Sequence, residues 1–203
     1  MINIKRVLPK GYFGSNCYLI ESQGDFAVVD PSVDFSVIKE KHPEIADGLK
    51  YILLTHAHFD HIYGIGSWPT AQAPVIVGSG DAAMLADPVK NCYLGFLGVH
   101  SGYYGKYTEV RDGDKLPLGD TFIEVIETPG HTPGGLSFKI DDSIFVGDTL
   151  FKDGGYGRCD LPGGDETALW NSIFKLFSQN MFGTFYPGHG AKDTFENSIN
   201  YFK

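Results

Sequence analysis

The sequence has few cysteines and no long apolar run. Its three cysteines, Cys17, Cys92 and Cys159, are odd in number and show no CxxC spacing, so we expect reduced thiols and no disulfide framework. The apolar runs, such as residues 51–54 and 74–77, have the length of strands and fall well short of the ~20 residues of a membrane helix. The sequence therefore predicts no membrane segment.

Two further features are missing, an export signal and a basic charge balance. Residues 1–8 carry Lys5 and Arg6, but no apolar segment follows them, so the N-terminus does not resemble a signal peptide. With the unpaired cysteines, this predicts a cytoplasmic protein. The formal net charge is −9, from 16 basic and 25 acidic residues. An acidic protein is a poor match for a phosphate backbone, so nucleic acid is not an expected partner.

What the chain does have is the composition of a globular protein. It contains 203 residues, of which 42% are hydrophobic and 14% aromatic. A chain of this length can bury roughly 70% of its unfolded surface, so the core does not depend on a metal or a disulfide. No linker divides the sequence, and we expect one domain over residues 1–203.

Strand patterns dominate both halves of the sequence, and helices separate them. Predicted helices cover residues 35–41, 81–86, 165–179 and 195–202, and another is expected to begin near Ile62. Each half reads as a sheet with helices outside it, which predicts an α/β fold, a four-layer αββα sandwich. The predicted strands cover residues 2–8, 17–21, 26–29, 49–54, 74–77, 115–118, 122–127, 136–140, 143–146 and 184–186.

Residues 88–107 form a segment without a clear period. They include four tyrosines, a phenylalanine and four glycines. Long irregular segments of this kind often have a function. A surface loop held down by its aromatic side chains explains the composition equally well, so both interpretations stay open.

The most informative motif is residues 55–61, THAHFDH, directly after a buried strand. His56 and His58 point the same way in an extended segment, and Asp60 and His61 follow where the chain turns. Imidazole and carboxylate together suit zinc, or a borderline ion such as iron or manganese. A solvated polar loop is the alternative for any single histidine.

Two more histidine motifs favour the metal hypothesis, because each also follows a predicted strand. They are residues 128–134, which contain His131, and residues 187–190, which contain His189. Asp148 ends a further strand, where a lone aspartate is usually a turn former. The complete set instead predicts two sites that share Asp148, because seven ligands exceed the needs of one tetrahedral ion. The predicted ligands are His56, His58 and His131 for one ion, Asp60, His61 and His189 for the other, and Asp148 as the bridge.

This pattern, HxHxDH followed by H, D and H, resembles the metallo-β-lactamase superfamily. The finer motifs are similar to its glyoxalase II-like thioester hydrolases. The resemblance covers nearly the whole chain and implies the αββα fold and two divalent metal ions, zinc in the first place, with iron or manganese as alternatives. Those finer motifs are residues 16–20 (NCYLI), 30–31 (DP), 128–134 (TPGHTPG), 147–151 (GDTLF), 157–158 (GR) and 160–165 (DLPGGD).

The sequence departs from two branches of that superfamily. Glyoxalase II enzymes continue into a C-terminal helical domain, whereas this chain ends at Lys203, so it resembles the short single-domain members. The acidic HxExD pattern of the flavodiiron branch is absent, because positions 58 and 61 are both histidine. Electron-transfer chemistry is therefore not expected.

The resemblance implies hydrolysis of a small-molecule thioester or ester, such as hydroxyacylglutathione. A hydroxide shared by the metals attacks the acyl carbon, and Asp60 holds one metal and orients that nucleophile. Arg158 corresponds to a cation that lies near the site in the family and can meet a substrate carboxylate. An ion pair of Arg158 with Asp160 or Asp165 is an equally good interpretation.

Other functions of the same fold stay open. A mononuclear-iron persulfide dioxygenase would use two histidines and one carboxylate, here His56, His131 and Asp148. Lactonase, β-lactamase and RNA-processing activities are compatible with the fold, although the acidic charge disfavours RNA. A binding module without catalysis is disfavoured by the complete ligand set. The acyl group, the thiol, the native metal and the oligomeric state are not specified.

Overall fold

Two six-stranded sheets form the centre of the computed structural model, which describes residues 2–9 and 14–202. The first sheet has the order β1-β2-β3-β4-β5-β6, and the second has the order β12-β11-β10-β9-β8-β7. The strands are β1 Asn3–Val7, β2 Cys17–Ser22, β3 Asp25–Val29, β4 Leu49–Leu53, β5 Val75–Gly78, β6 Thr108–Val110, β7 Lys115–Leu118, β8 Thr121–Glu127, β9 Leu136–Ile140, β10 Ser143–Gly147, β11 Thr184–Pro187 and β12 Asp193–Thr194.

Both sheets mix parallel and antiparallel pairs. In the first, β1, β2 and β3 are antiparallel, and β3 to β6 run parallel. In the second, β7 to β10 are antiparallel, β11 is parallel to β10, and β12 is antiparallel to β11. Strands β8, β10 and β11 therefore end at the same edge of the second sheet, which is where three of the predicted ligand loops begin.

Helices cover the outer face of each sheet. The helices are α1 Phe35–Lys41, α2 Ile45–Gly48, α3 Phe59–Ile62, α4 Ser79–Ala82, α5 Tyr93–Leu97, α6 Glu166–Asn180 and α7 Phe195–Ser198, with 3-10 turns at Ile65–Ser67, Lys152–Gly154 and Ile199–Phe202.

The buried apolar side chains form three layers. The central layer lies between the sheets, where Ile20, Val29 and Leu53 of the first sheet pack with Val125 and Phe138 of the second. One outer layer joins the first sheet to the helices of the first half, and the other joins the second sheet to α6 and α7. This helix–sheet–sheet–helix order confirms the predicted αββα sandwich.

Helix α6 shows how local sequence and packing agree. Asp165 precedes the helix in an extended conformation, and its side chain accepts a hydrogen bond from Ala168 N at 2.9 Å. This N-cap satisfies a backbone donor that the first turn leaves free. The buried residues recur at helical spacing, as Leu169, Ile173 and Leu176 do, so one face of α6 lies on the second sheet.

Two predicted helices were wrong at their boundaries. The helix expected over residues 81–86 is the four-residue α4, Ser79–Ala82, and only turns follow it. The helix expected near Ile62 is α3, which begins at Phe59 and ends at Ile62. Strand β6 was missed, because its three residues TEV are too short and polar to form a strand pattern.

The predicted irregular segment 88–107 contains one short helix, α5 Tyr93–Leu97. Some of its aromatic side chains pack into the core, and others are exposed to solvent. Tyr93 and Tyr103 are buried, whereas Phe96 and Tyr104 are exposed. Residues 10–13, between the first two predicted strands, lie outside the described residues.

Two other expectations concern thiols and membrane helices. All three cysteines are free. Among the described residues, no helix has both the length and the apolar character that crossing a membrane requires.

The end of β5 packs closely against the loop that precedes β9, and this contact needs a glycine. A Cβ atom on Gly78 would collide with the backbone carbonyl oxygen of Gly134. We expect Gly78→Ala to lower the free energy of unfolding by about 1–3 kcal/mol, because backbone atoms must shift to make room. Gly95→Ala, in α5 with nothing within 4 Å of its added Cβ, should instead raise it by roughly 0.5–1 kcal/mol.

Chemical denaturation of both variants measures these changes. Equal stability of Gly78→Ala and the parent protein would contradict the close approach of the two backbones.

Candidate metal centre

The seven predicted ligands meet at one edge of the sandwich. Four of them follow β4 in the first sheet, namely His56, His58, Asp60 and His61. The other three follow strands of the second sheet, where His131 comes after β8, Asp148 after β10 and His189 after β11. The site is therefore built from both sheets, and each ligand lies in a segment that begins at a strand end, Asp60 and His61 within α3.

The first group of ligands consists of three imidazoles. The ligand atoms of His56, His58 and His131 all lie within 4.8 Å of one another. Nδ1 of His58 is 2.9 Å from Nε2 of His131. All three side chains are buried, so their nitrogen atoms converge in a space that solvent barely reaches. Three such nitrogens form a set that could hold a metal ion.

The second group contains one carboxylate and two imidazoles. The ligand atoms of Asp60, His61 and His189 also lie within 4.8 Å of one another. Oδ2 of Asp60 is 3.1 Å from Nε2 of His189 and 3.7 Å from Nε2 of His61. His189 is the most open of the three, with 41% of its side chain exposed. This set also could hold a metal ion.

Asp148 lies between the two groups. Its Oδ2 is 3.6 Å from Nε2 of His131, in the first group, and 3.5 Å from Nε2 of His189, in the second. Its Oδ1 is 3.4 Å from Nε2 of His61. The structure thus places one carboxylate against both groups, and its role as a ligand shared by two ions stays a prediction.

Outer hydrogen bonds fix which nitrogen each imidazole presents. Nδ1 of His61 donates to Oδ2 of Asp30 at 2.8 Å, and Nδ1 of His131 donates to the carbonyl of Arg158 at 2.7 Å. Oγ1 of Thr55 donates to Asp30, so it is left to accept from Nδ1 of His56 at 3.1 Å. In the neutral form of each ring these contacts place the proton on Nδ1, so that the Nε2 lone pair faces the site. Second-shell contacts of this kind orient metal-binding histidines.

Several buried polar atoms in the site have no hydrogen-bond partner. They include Nε2 of His56 and Nε2 of His58. Buried polar atoms nearly always find a partner, so a cluster of unpartnered acceptors needs an explanation. Lone pairs that converge without donors are what a metal ion satisfies, and the donor set therefore fits the expected divalent ions.

The protonation states of the first group suit metal binding. Burial, with help from the imidazole of His131, lowers the pKa of His58 to about 3. Burial and the surrounding imidazoles also lower the pKa of His56 well below its ordinary value. Both rings are therefore neutral at pH 7, and a neutral imidazole is the form that binds a metal.

The carboxylates dominate the second group. Burial by itself lowers the pKa of His61, but the charges of Asp30, Asp60 and Asp148 outweigh it and raise that pKa well above its ordinary value. For Asp148 the balance has the opposite sign. Burial raises its pKa, and the imidazoles, that of His61 first, outweigh burial and hold the pKa far below the ordinary range. The bridge position is therefore anionic at pH 7.

A buried carboxylate outside the ligand set joins the two metal-binding loops. Oδ2 of Asp81 accepts a hydrogen bond from Ala57 N at 2.8 Å, and its Oδ1 accepts one from Gly134 N at 2.7 Å. Ala57 lies between His56 and His58, and Gly134 belongs to the loop of His131. Burial raises the pKa of Asp81, against the effect of these hydrogen bonds. Asp81 therefore sets the spacing of the loops that carry the first group.

Asp30 and Asp81 are the functional residues that sequence reasoning missed. Asp30 appeared only as part of a motif, and Asp81 only as a helix cap. Both are fully buried carboxylates. The available signal for Asp30 was an aspartate that ends a buried strand beside the strand leading to the histidines.

Arg158 lies at the rim of the site and forms the ion pair with Asp160 that was one of its two interpretations, while its contact with a substrate stays a prediction. It lines the cleft that contains the ligands, a space of about 350 Å³. Its Nε and Nη2 also donate to the two carboxylate oxygens of Asp160, each at 2.5 Å. Both side chains are more than half exposed. An exposed pair of this kind is weak enough for Arg158 to exchange partners.

With this geometry, the chain can be compared with known proteins. Residues 11–189 match the model of the metallo-beta-lactamase superfamily, and the chain therefore belongs to that family. Its fold and its His/Asp groups place it in a class of metal-dependent hydrolases.

Two curated relatives illustrate the range within the family. The chain is 32% identical over 194 residues to "Probable metallo-hydrolase YqgX" of Bacillus subtilis (strain 168), which covers 92% of this chain and 90% of that protein. It is 33% identical over 162 residues to "Glyoxylase B2" of Dictyostelium discoideum, which covers 77% of this chain and 53% of that protein.

Two solved structures match over nearly the whole chain. The BLEG-1 B3 metallo-beta-lactamase superposes with a TM-score of 0.87 at 28% identity, covering 98% of this chain and 97% of that one. TTHA1623 in a di-iron-bound form superposes with a TM-score of 0.78 at 27% identity, covering 96% of each chain. The second of these structures holds two metal ions of the kind that the donor set here also fits.

Asp30→Asn tests the hydrogen bond that orients His61. An asparagine keeps the shape but removes the charged acceptor of the Nδ1 proton, so the affinity for an ion held by Asp60, His61 and His189 should fall about 10- to 100-fold. Competition with a chromogenic chelator measures this affinity. Asp112→Asn, an exposed carboxylate paired with Lys175, is the control and should leave it unchanged. Equal weakening of both metal ions would contradict a role of Asp30 that acts mainly through His61 and would assign it to the whole ligand loop through Thr55.

Proposed function

We propose that this protein hydrolyses small-molecule thioesters with the aid of two divalent metal ions. The observation that carries the proposal is the position of the Asp148 carboxylate between the two ligand groups. A lone three-histidine site would need no such carboxylate, whereas a pair of ions needs an anionic ligand that they can share. The second ligand group is also as closely assembled as the first, which favours two ions over the single iron of a persulfide dioxygenase.

The roles of the residues follow from their places in the site. One ion would be held by His56, His58 and His131. The other would be held by Asp60, His61 and His189, and Asp148 would bind both ions. Bound divalent ions supply a nucleophile at neutral pH, because they lower the pKa of water to about 7, and they polarise a carbonyl group. Asp60 also faces the cleft, where its carboxylate is able to accept a proton from that nucleophile and orient it.

A thioester is the substrate class that suits the catalytic groups of the cleft best. A thiolate is a good leaving group, so the reaction needs no general acid, and the described residues that line the cleft include no evident one. The sequence contains no G-x-S-x-G motif for a serine nucleophile. The likeness to "Glyoxylase B2" supports this substrate class. The likeness to a B3 metallo-beta-lactamase makes a lactam the second candidate.

Zinc is the metal that we propose first. Imidazole and carboxylate ligands suit it, and they suit iron or manganese as well. The likeness to a di-iron-bound structure makes iron the principal alternative.

Metal analysis coupled to a thioester assay tests the proposal. We expect two ions per chain, loss of hydrolysis on chelation, and recovery with zinc or manganese. Asp148→Asn should weaken both ions together, because it removes a charge that both share, whereas His189→Ala should weaken one. Titrations followed by calorimetry separate these cases. Full activity of a metal-free preparation would overturn the proposal, and loss of only one ion in Asp148→Asn would overturn the bridge.

Arg158 is the residue that we propose to recognise a substrate carboxylate. Arg158→Ala should raise KM several-fold for a thioester that bears a carboxylate and leave KM for a neutral one nearly unchanged, since only the first loses an ionic contact. Steady-state kinetics on a matched pair of substrates measures the difference. Asp160→Asn is the control, because it frees Arg158 and should not raise KM for the carboxylate substrate. An equal change for both substrates in Arg158→Ala would assign Arg158 to structure.

A further inference from the structure

One wall of the cleft has no part in the proposed reaction. Phe59 lies between the ligands His58 and Asp60, and its ring faces the cleft beside two residues of the segment 88–107, Cys92 and Phe96. We call these three residues the apolar wall. It adjoins the metal ligands directly, so a molecule bound for hydrolysis must lie within reach of it.

The apolar wall presents an aromatic surface in a fixed orientation. The ring of Phe96 stacks on that of Phe59, with centroids 5.5 Å apart and an interplanar angle of 26°. Phe59 is buried and also contacts Tyr93, at a centroid distance of 5.7 Å. Phe96 is 46% exposed. Its free face is therefore an apolar surface at the mouth of the cleft, and covering that surface is favourable.

Hydrogen bonds hold the apolar wall at a fixed distance from the ligands. The backbone N–H of Phe59 donates to the carbonyl of Asn91 at 2.8 Å. The side chain of Asn91 donates to the carbonyls of Leu85 and Ser101, both at 3.1 Å, and accepts from the N–H of Tyr93 at 3.1 Å. Asn91 thus ties the segment 88–107 to the loop that carries four of the ligands.

The apolar wall carries no charge. Burial and the nearby carboxylate of Asp60 raise the pKa of the Cys92 thiol, so it is protonated at pH 7. Two other residues that line the cleft, Phe151 and Leu161, are also apolar. Among the described residues that line the cleft, Arg158 is the only lysine or arginine. A substrate with several charged groups would therefore find few partners beside the metal ions.

From these contacts, and resting on the thioester hydrolysis proposed above, we infer that the apolar wall selects substrates with an uncharged apolar arm, an aromatic ring above all. The stacked face of Phe96 receives the arm while the thioester lies at the metal ligands. Phe96 is then a residue that determines specificity, and the segment 88–107 has a function in substrate choice.

Three simple thioesters test the inference: S-methyl thioacetate, S-methyl phenylthioacetate and S-benzyl thioacetate. The second carries a ring on the acyl side and the third on the thiol side. After correction for reactivity toward hydroxide, kcat/KM for at least one ring-bearing substrate should exceed that for S-methyl thioacetate about tenfold or more. In Phe96→Ala this ratio should fall toward one. Phe174→Ala removes a phenylalanine of α6 that is 52% exposed, and it should keep the ratio.

Binding of ketone analogues gives a second measure that needs no turnover. In 2-butanone, 1-phenyl-2-butanone and 4-phenyl-2-butanone a methylene replaces the thioester sulfur. Calorimetry on the metal-loaded protein should find a ring-bearing ketone bound about tenfold more tightly than 2-butanone, and the difference should disappear in Phe96→Ala.

The outcomes separate this inference from the proposed function. Thioester hydrolysis without a preference for a ring, or an equal loss on all three substrates in Phe96→Ala, would overturn the role of the apolar wall alone. Absence of thioester hydrolysis with the ketone preference intact would overturn the proposed reaction and leave the apolar wall in place. Absence of any preference in both assays would reject the inference.

Discussion

The carboxylate of Asp30 is the contact on which the site depends. It accepts three hydrogen bonds of 2.8 Å, from Thr55 N, Thr55 Oγ1 and His61 Nδ1. Asp30 has a left-handed backbone, with φ of 54°, and a side chain that is almost completely buried. One residue at the end of β3 therefore holds the start of the ligand loop after β4 and orients a ligand within it. Without the carboxylate, three buried donors would lack their acceptor, at a cost of ~1–3 kcal/mol each.

Whereas Asp30 connects strands of the first sheet, Asp81 connects the two sheets by hydrogen bonds. It accepts hydrogen bonds from Ala57 in one sheet's loop and from Gly134 in the other's. The close backbone contact of Gly78 with Gly134 lies beside it. The positions of His56, His58 and His131 relative to one another thus depend on a buried ionisable group and on a glycine, neither of which reaches the metal ligands.

The meeting of the seven candidate ligands at one edge was predictable from the sequence, because their chemistry restricts which residues they can be. Few residue types bind a divalent ion, and their positions after predicted strands brought them to one edge. The roles of Asp30 and Asp81 were not predictable in this way, because each accepts hydrogen bonds from segments distant along the chain. An aspartate near a strand end or a helix start has an adequate local explanation as a turn former or a cap. Likewise, the partner of Arg158 depends on loop geometry that no periodic pattern encodes.

The arrangement of ligands on both sheets has a consequence for how the protein matures. The first sheet supplies four ligands from one loop, but each ligand group needs at least one residue of the second sheet, His131 or His189. Strand β11, which leads to His189, takes its place beside β10 only after the crossover through α6. During synthesis, which proceeds from the N-terminus, the emerging chain can therefore present only partial coordination. A complete ligand set for either ion therefore exists only once both halves of the chain have folded together.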